Sequence, residues 1–319
     1  MTTGVILIAT LLSSGILAAP TQAKQPTRFT FTEYHMGVDT RLVVYAKNQK
    51  TAEEACAAAF ERIAALDTTM SDYMKDSELT HLSNGAGGPA VKVSKDLFKV
   101  LKRSQDVSRL SDGLFDVTVG PLVQTWRKAR KTAILPAPDA VERARALVGW
   151  GKLTLNERAM TVRLTSPGMR LDLGAIGKGF ADDEAQIVLK RHGIASALVE
   201  MGGDIVVSGP PPGTDGWLIR VPNAGPGGGP LDMRLKNCAI STSGDSEQFV
   251  VIGGVKYSHV VDPHTGYALT QGVEATVIAK DGLTADPVST ALTLLDEPSR
   301  ARLLKAFPGT RCFVRKERG

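Results

Sequence analysis

Four short strings bring together residue types that do chemistry. The run LDLGAIGKGFADDEAQIVLK, residues 171–190, leads from a short apolar strand through Gly174, Gly177 and Gly179 into an amphipathic helix. Glycines let backbone N–H groups approach a ligand, and a helix N-terminus with Lys178 beside it suits a phosphate. It is not a Walker A loop, because Gly179 rather than Ser or Thr follows the lysine, nor a G-x-G-x-x-G fingerprint, because Asp182 ends the pattern. A tight turn with a solvated lysine accounts for it equally well. In MGGDIVVSG, Gly202, Gly203 and Asp204 lie inside a β-branched strand, which reads as a bulge or as the close approach of a ligand. Further on, Val255, Tyr257, His259 and Val261 alternate on one face of a strand, where a histidine is either a satisfied core residue or, beside the turn Asp262 to Gly266, part of a site. Finally, ADPVSTALTLL reads as a helix start with Asp286 as N-cap and Pro287 at the first helical position. Asp286 and Thr290, four apart on one helix face, also offer hard oxygen ligands of the kind Mg²⁺ accepts beside water and phosphate. A bare cation there opposes the helix dipole, so such a site needs phosphates and is tied to the glycine–lysine loop.

The elements that must hold these strings in place follow from periodicity. Helices are expected at Thr51 to Leu66, with Cys56, Phe60 and Ile63 inward, at Ser94 to Leu110 with Ser94 as N-cap, and at Asp139 to Leu147. Strands are expected at Arg41 to Tyr45, at Ala197 to Val207, and in the hairpin Gln248 to Ile252 and Val255 to Val261 joined by Gly253-Gly254. VPNAGPGGGP, residues 221–230, lies between the strand-like runs WLIRV and LDMRL and reads as a long hairpin loop. Helices and strands mix without strict βαβ alternation, so the fold class is α+β.

The strings HMG (His35, Met36, Gly37), MSDYMKDSEL, DGLFDVTVGPLV, LDLGAIGKG, GGDI, STSGD, SHVVDPHTG and ADPVSTAL occur in this order over essentially the whole chain. Together they resemble the ApbE family of FAD:protein FMN transferases. The resemblance implies a single two-lobed α+β domain over residues 24–319 that binds FAD and Mg²⁺ in a cleft. It implies transfer of the FMN half of FAD onto a Thr or Ser hydroxyl of an acceptor flavoprotein, a membrane-associated redox subunit or an exported protein, with release of AMP. It places Met36, Tyr73, Leu114, Phe115, Asp116, Asp172, Lys178 and Val260 against FAD. The carbonyl of Ala175, with Asp286 and Thr290, falls at the metal positions, and His259 at the catalytic base. Without the resemblance, Met36 and Tyr73 read as ordinary core. Gly177 and Pro287 stand where the family usually has alanine. Two rivals use the same residues: a Mg²⁺-dependent FAD pyrophosphatase giving FMN and AMP, and a flavin carrier without turnover.

Composition agrees with a globular protein. The 319 residues are 43% hydrophobic and 22% charged, and 38 Lys and Arg against 33 Asp and Glu leave +5, too little and too scattered for a nucleic-acid binder. Cys56, Cys238 and Cys312 have no C-x-x-C spacing and read as buried small side chains rather than a zinc site or disulfide framework. Residues 1–23 carry no charged side chain, their apolar stretches are interrupted by Ser13-Ser14, and they end in the small-residue segment Thr21-Gln22-Ala23, which reads as a secretory signal peptide cleaved after Ala23, with an uncleaved inner-membrane anchor as the alternative. The protein is therefore expected outside the cytoplasm, in the periplasm or an equivalent space.

Overall fold

The computed structural model describes Met1 and residues 25–244 and 249–316. The expected signal segment, apart from Met1, lies outside the described residues, as do Asp245 of the STSGD string and Gln248. In chain order the strands are Thr27–His35 (β1), Val38–Ala46 (β2), Val91–Lys92 (β3), Leu153–Asn156 (β4), Thr161–Leu164 (β5), Ser196–Met201 (β6), Asp204–Val207 (β7), Trp217–Val221 (β8), Leu231–Leu235 (β9), Cys238–Ser243 (β10), Phe249–Ile252 (β11), Val255–Ser258 (β12), Val273–Ala279 (β13) and Arg311–Lys316 (β14). The helices are Gln49–Met70 (α1), Glu78–Asn84 (α2), Lys95–Leu110 (α3), Gly120–Thr132 (α4), Pro138–Arg145 (α5), Gly177–Arg191 (α6), Gly282–Leu294 (α7) and Glu297–Lys305 (α8).

Among the described residues, β1-β2-β6-β7-β10-β13-β14 form one antiparallel sheet. Strand alternation supplies apolar side chains to both faces. Leu42, Val44, Val199, Ala275 and Val277 pack with α1, α3, α6 and α7, whereas Val43, Leu198, Val207, Ile240 and Ile278 pack under the β8–β9 hairpin on Trp217 and Ile219. This explains why every residue of β13 is buried. A third apolar cluster joins Leu122 and Trp126 of α4 and Val141 of α5 to Ile252 of β11, Val261 and Ala268. The mixture is the expected α+β class.

Several local expectations hold and several need correction. Ser94 caps α3 by accepting the N–H of Leu97, and β8 and β9 pair across the predicted long loop. The Gly253-Gly254 turn joins β11 and β12 with both glycines at positive φ, but β12 ends at Ser258, so His259 lies just beyond the strand rather than on it. The expected strand Ala197 to Val207 is two strands. Gly202 and Gly203, at φ 56° and 90°, form a two-residue turn that pairs Met201 with Asp204, so neither a bulge nor an uninterrupted strand is present. Two successive positive-φ residues fit the right-handed twist of a hairpin, and glycine reaches them without a Cβ clash. LDL at 171–173 belongs to no strand. Arg170 alone bridges to Val119, and the chain then turns through Gly174 into α6.

Candidate functional site

Lys178 and Gly179 lie in the first turn of α6, Gly282 opens α7, and the two helices cross there without side chains between them. A Cβ on Gly179 would lie 2.4 Å from the carbonyl oxygen of Gly282, and one on Gly282 would lie 2.2 Å from that of Gly179. Glycine at both positions is the condition for the crossing. It carries Asp286 of α7 to α6, where Oδ2 accepts the N–H of Gly179 at 3.1 Å.

Asp286 is therefore not a helix cap. The helix starts earlier, with Asp281 as its extended N-cap residue, and its first N–H groups, Gly282 and Leu283, donate to the carboxylate of Asp183 on α6 at 2.8 and 2.9 Å. Pro287 accordingly sits inside α7, at the cost of the bond that its absent N–H would give the Leu283 carbonyl. Asp286 is only 2% exposed, and burial, with the nearby Asp204 carboxylate, pushes its carboxyl up to about 7 against the pull of Lys178 and the Gly179 N–H.

Lys178 Nζ pairs with Asp204 Oδ2 at 2.8 Å and lies 3.4 Å from the carbonyl of Gly174. Asp204 and Asp286 both favour the charged ammonium and raise its pKa despite burial. Asp182, fully buried one turn further along α6, has neither carboxyl oxygen hydrogen-bonded, and burial holds its pKa well above the usual range. A ladder of hydroxyls completes this pole. Ser241 donates to Asp204 Oδ1 and lies 3.1 Å from Ser289 Oγ, Ser289 lies 2.7 Å from Ser243, and Ser243 lies 2.9 Å from Thr290 Oγ1. Ala175, half-buried, precedes the N-cap Ile176, so its carbonyl stands outside the helical ladder.

Three buried carboxyls, Asp182, Asp204 and Asp286, thus surround one lysine. Such a set is short of positive charge and suits a hard cation beside Asp286 and Thr290. Among the described residues no three His, Cys, Asp or Glu side chains converge as a ligand set, so the donors that fit are mixed: one carboxylate, one hydroxyl and one carbonyl.

The next group of expected residues lies beside this pole. Met36, at φ 49° in the β1–β2 turn, donates its N–H to Asp67 of α1, and its Cε would be 3.5 Å from a Cβ on Gly177. Asp172 accepts the N–H of Gly174 through Oδ1 and an Arg127 N–H at 2.9 Å through Oδ2, while burial and the neighbouring Asp72 raise its pKa. Arg127 also pairs with Asp72 and lies 4.2 Å from the ring centroid of Tyr73. Tyr73 is 75% exposed, so the core reading of this residue does not hold. It borders a cleft of about 320 Å³ shared with Asp72, Met74 and Arg170.

The remaining residues are held more by their own loops. Phe115 is core, Leu114 packs against the core from a half-buried position, and Asp116 is buried with Oδ1 accepting both the N–H and the hydroxyl of Thr118 at 2.7 Å. Burial pushes the Asp116 carboxyl up to about 6. The Asp172 N–H donates to the Val117 carbonyl, which ties this loop to the glycine segment. His259 is half-buried and Val260 buried, with the Val260 N–H donating to Ser258 Oγ. Asp262 accepts the N–H groups of His264 and Thr265, and a His264 ring nitrogen lies 3.0 Å from the Asp112 carbonyl, so the turn after His259 is fastened to the loop that carries Leu114 to Asp116.

Direct contacts therefore join Lys178, Asp286 and Thr290 through Asp204 and the serines, and Tyr73 to Asp172 through Arg127. Sequence reasoning gave no role to Asp72, Arg127, Asp183, Ser241, Ser243 or Ser289. The serines at 241 and 243 lie in a quoted string, and their two-residue spacing on one strand face was the available signal.

The model of the ApbE family matches residues 36–314. The FAD:protein FMN transferase of Treponema pallidum is 30% identical over 95% of this chain and 88% of its own, and that of Haemophilus influenzae is 30% identical over 92% and 87%. Among solved structures, the apo flavinyl transferase ApbE of Pseudomonas stutzeri superimposes with a TM-score of 0.80 at 25% identity, covering 94% of both chains. The ApbE protein of Thermotoga maritima gives 0.80 at 28% identity over 92% of this chain and 97% of that one. A match that begins at Met36, ends in β14 and takes in every described element of the site makes this chain a member of the ApbE family.

Proposed function

We infer that the protein is an FAD:protein FMN transferase, moving the FMN half of FAD onto a threonine or serine hydroxyl of an acceptor flavoprotein and releasing AMP. The observation that carries this reading is the α6–α7 crossing, which sets Asp286 on the Gly179 N–H beside Lys178 in a chain that matches the family almost throughout.

Asp286, Thr290 and the carbonyl of Ala175 would hold a magnesium ion, consistent with the surplus of buried carboxyls around one lysine. When bound, the ion supplies positive charge to pyrophosphate oxygens. Lys178, ion-paired with Asp204 and with one N–H directed at the Gly174 carbonyl, keeps a further donor for a phosphate. The Tyr73 ring and the Met36 thioether offer flat and adaptable surfaces to the rings of FAD. Leu114, Phe115, Asp116, Asp172 and Val260 complete that wall. An imidazole nitrogen of His259 takes the acceptor hydroxyl proton as the oxygen bonds to the FMN-side phosphorus and the bond to AMP breaks.

The acceptor is a membrane-associated redox subunit or an exported flavoprotein, and the uncharged apolar segment at residues 1–23 supports export of the enzyme to the same compartment. No helix of the described residues is long and apolar enough to cross a membrane.

Incubation with FAD, Mg²⁺ and a candidate acceptor, read by in-gel flavin fluorescence and AMP release, tests the function. Flavin joined covalently to the acceptor with equimolar AMP is the expected result. AMP and free FMN without labelled acceptor would make the protein a pyrophosphatase, and bound FAD without AMP would make it a carrier.

A further inference from the structure

Tyr73 belongs to the turn between α1 and α2, and most of its ring is exposed. Its N–H reaches Ser71 Oγ at 3.3 Å, a backbone contact that leaves the side-chain torsions free. An exposed tyrosine loses rotamer freedom when a ligand stacks on it, and that loss weakens binding unless the free protein already holds the ring in place.

The restraint comes from α4. Arg127 is about one-fifth exposed and lies under the Tyr73 ring, with the guanidinium carbon 4.2 Å from the centroid. One guanidinium nitrogen pairs with Asp72, the residue before Tyr73, and the other donates to Asp172 Oδ2 at 2.9 Å. The far oxygen of Asp172 accepts the N–H of Gly174 at the start of the glycine segment. One planar side chain therefore touches the ring, the turn that carries it, and the carboxylate that precedes the glycine segment. A guanidinium fixed by two carboxylates presents its face in one orientation, and a ring stacked on that face is held in one plane.

We propose that Arg127 is a positioning residue that preorganises Tyr73 for the flat ring system of FAD, with Asp172 and Asp72 holding its guanidinium in place. This rests on the FAD reading above. Because Arg127 acts through Tyr73, its loss weakens FAD capture while leaving the chemical step at His259 and Asp286 intact.

The experiment compares wild type, Arg127→Met, Arg127→Lys, Tyr73→Leu and the Arg127→Met/Tyr73→Leu double variant. Each is read for FAD dissociation by flavin fluorescence, for KM and kcat of FMN transfer, and for thermal midpoint. Arg127→Met is expected to raise the FAD Kd and KM about fivefold, the upper range of a cation–π contact at an exposed ring, with kcat within about twofold. Arg127→Lys keeps the charge but not the planar fork and should fall between Met and wild type. The double variant should bind FAD no worse than Tyr73→Leu alone, the mark of one residue acting through the other. Additive losses in the double variant, or a fall in kcat at unchanged KM, would overturn the positioning role. So would unchanged FAD binding in Arg127→Met while wild type transfers FMN, which leaves the transferase reading standing. A wild-type protein that binds no FAD would instead overturn the function and this inference together. If Arg127→Met fails to fold, the Arg127→Lys variant decides by the same KM and kcat criteria.

Discussion

Asp286 illustrates how a side chain's role depends on what surrounds it. As a helix cap it would be replaceable by asparagine, which caps about as well. Inside α7, buried beside Asp204 and pushed up to about 7, it is a carboxyl whose charge works against the metal-free fold. Asp286→Asn keeps an oxygen for the Gly179 N–H and removes the repulsion. The metal-free variant is therefore expected to melt at or above the wild-type temperature, whereas transfer falls and needs more Mg²⁺ to recover. Superimposable curves of rate against Mg²⁺ would refute a role for Asp286 as ligand. His259, placed just past β12 beside the Asp262 turn, answers to a different measurement. His259→Ala should leave FAD binding nearly intact and lower FMN transfer by about 10²-fold or more, the scale of losing a general base. Near wild-type transfer in that variant would return the histidine to a packing role.

The α6–α7 crossing is the element on which the site depends. Gly179→Ala would drive a methyl to within 2.4 Å of backbone, which no rotamer change relieves, so the helices must separate. A loss of about 1–3 kcal/mol in stability is expected, together with weaker FMN transfer because Asp286 moves with α7. Thermal melts and transfer rates on the same preparation check this, and a variant stable and active as wild type would show that the crossing yields easily. Asp183, which accepts the first N–H groups of α7, has its carboxyl pushed up to about 7 by burial. Its ordinary value in the unfolded chain is lower, so the folded state binds this proton more tightly. The stability it contributes is whole below the unfolded pKa and is lost as pH rises through about 7. In chelator, the thermal midpoint should fall from pH 4 toward pH 8, and Asp183→Asn should flatten that slope. An unchanged slope in the variant would remove Asp183 as its source.

Across the whole protein, work is divided between the two faces of the main sheet. One face carries α1, α3, α6 and α7, and through α6 and α7 the lysine–carboxyl pole; the other is closed by Trp217 and Ile219 of the β8–β9 hairpin. Export concerns the molecule as a unit, because acceptor and enzyme must meet in one compartment. The exported protein is expected to begin at Lys24 or within a few residues of it, as N-terminal sequencing would show. An intact Met1 on secreted material, or protein confined to the cytosol, would contradict this.

Much of this protein was legible before folding was considered. Periodicity located α3 with its Ser94 cap, the glycine pair at 253 and 254 announced a hairpin, and the order of the quoted strings identified the family. These signals are local, because caps and two-residue turns satisfy their hydrogen bonds within a few residues. Long-range contacts escaped the same reading. Asp286 resembled an N-cap because Pro287 follows it, yet the cap of α7 comes from Asp183 on another helix, a partner far away in sequence. Gly202 and Gly203 resembled a bulge because strand pairing was not yet known, and pairing made them a turn. Arg127 carried no motif at all. Its importance arises only when α4 packs beside the Tyr73 turn and the glycine segment, since a guanidinium's role is set by the two carboxylates and the ring that surround it in space.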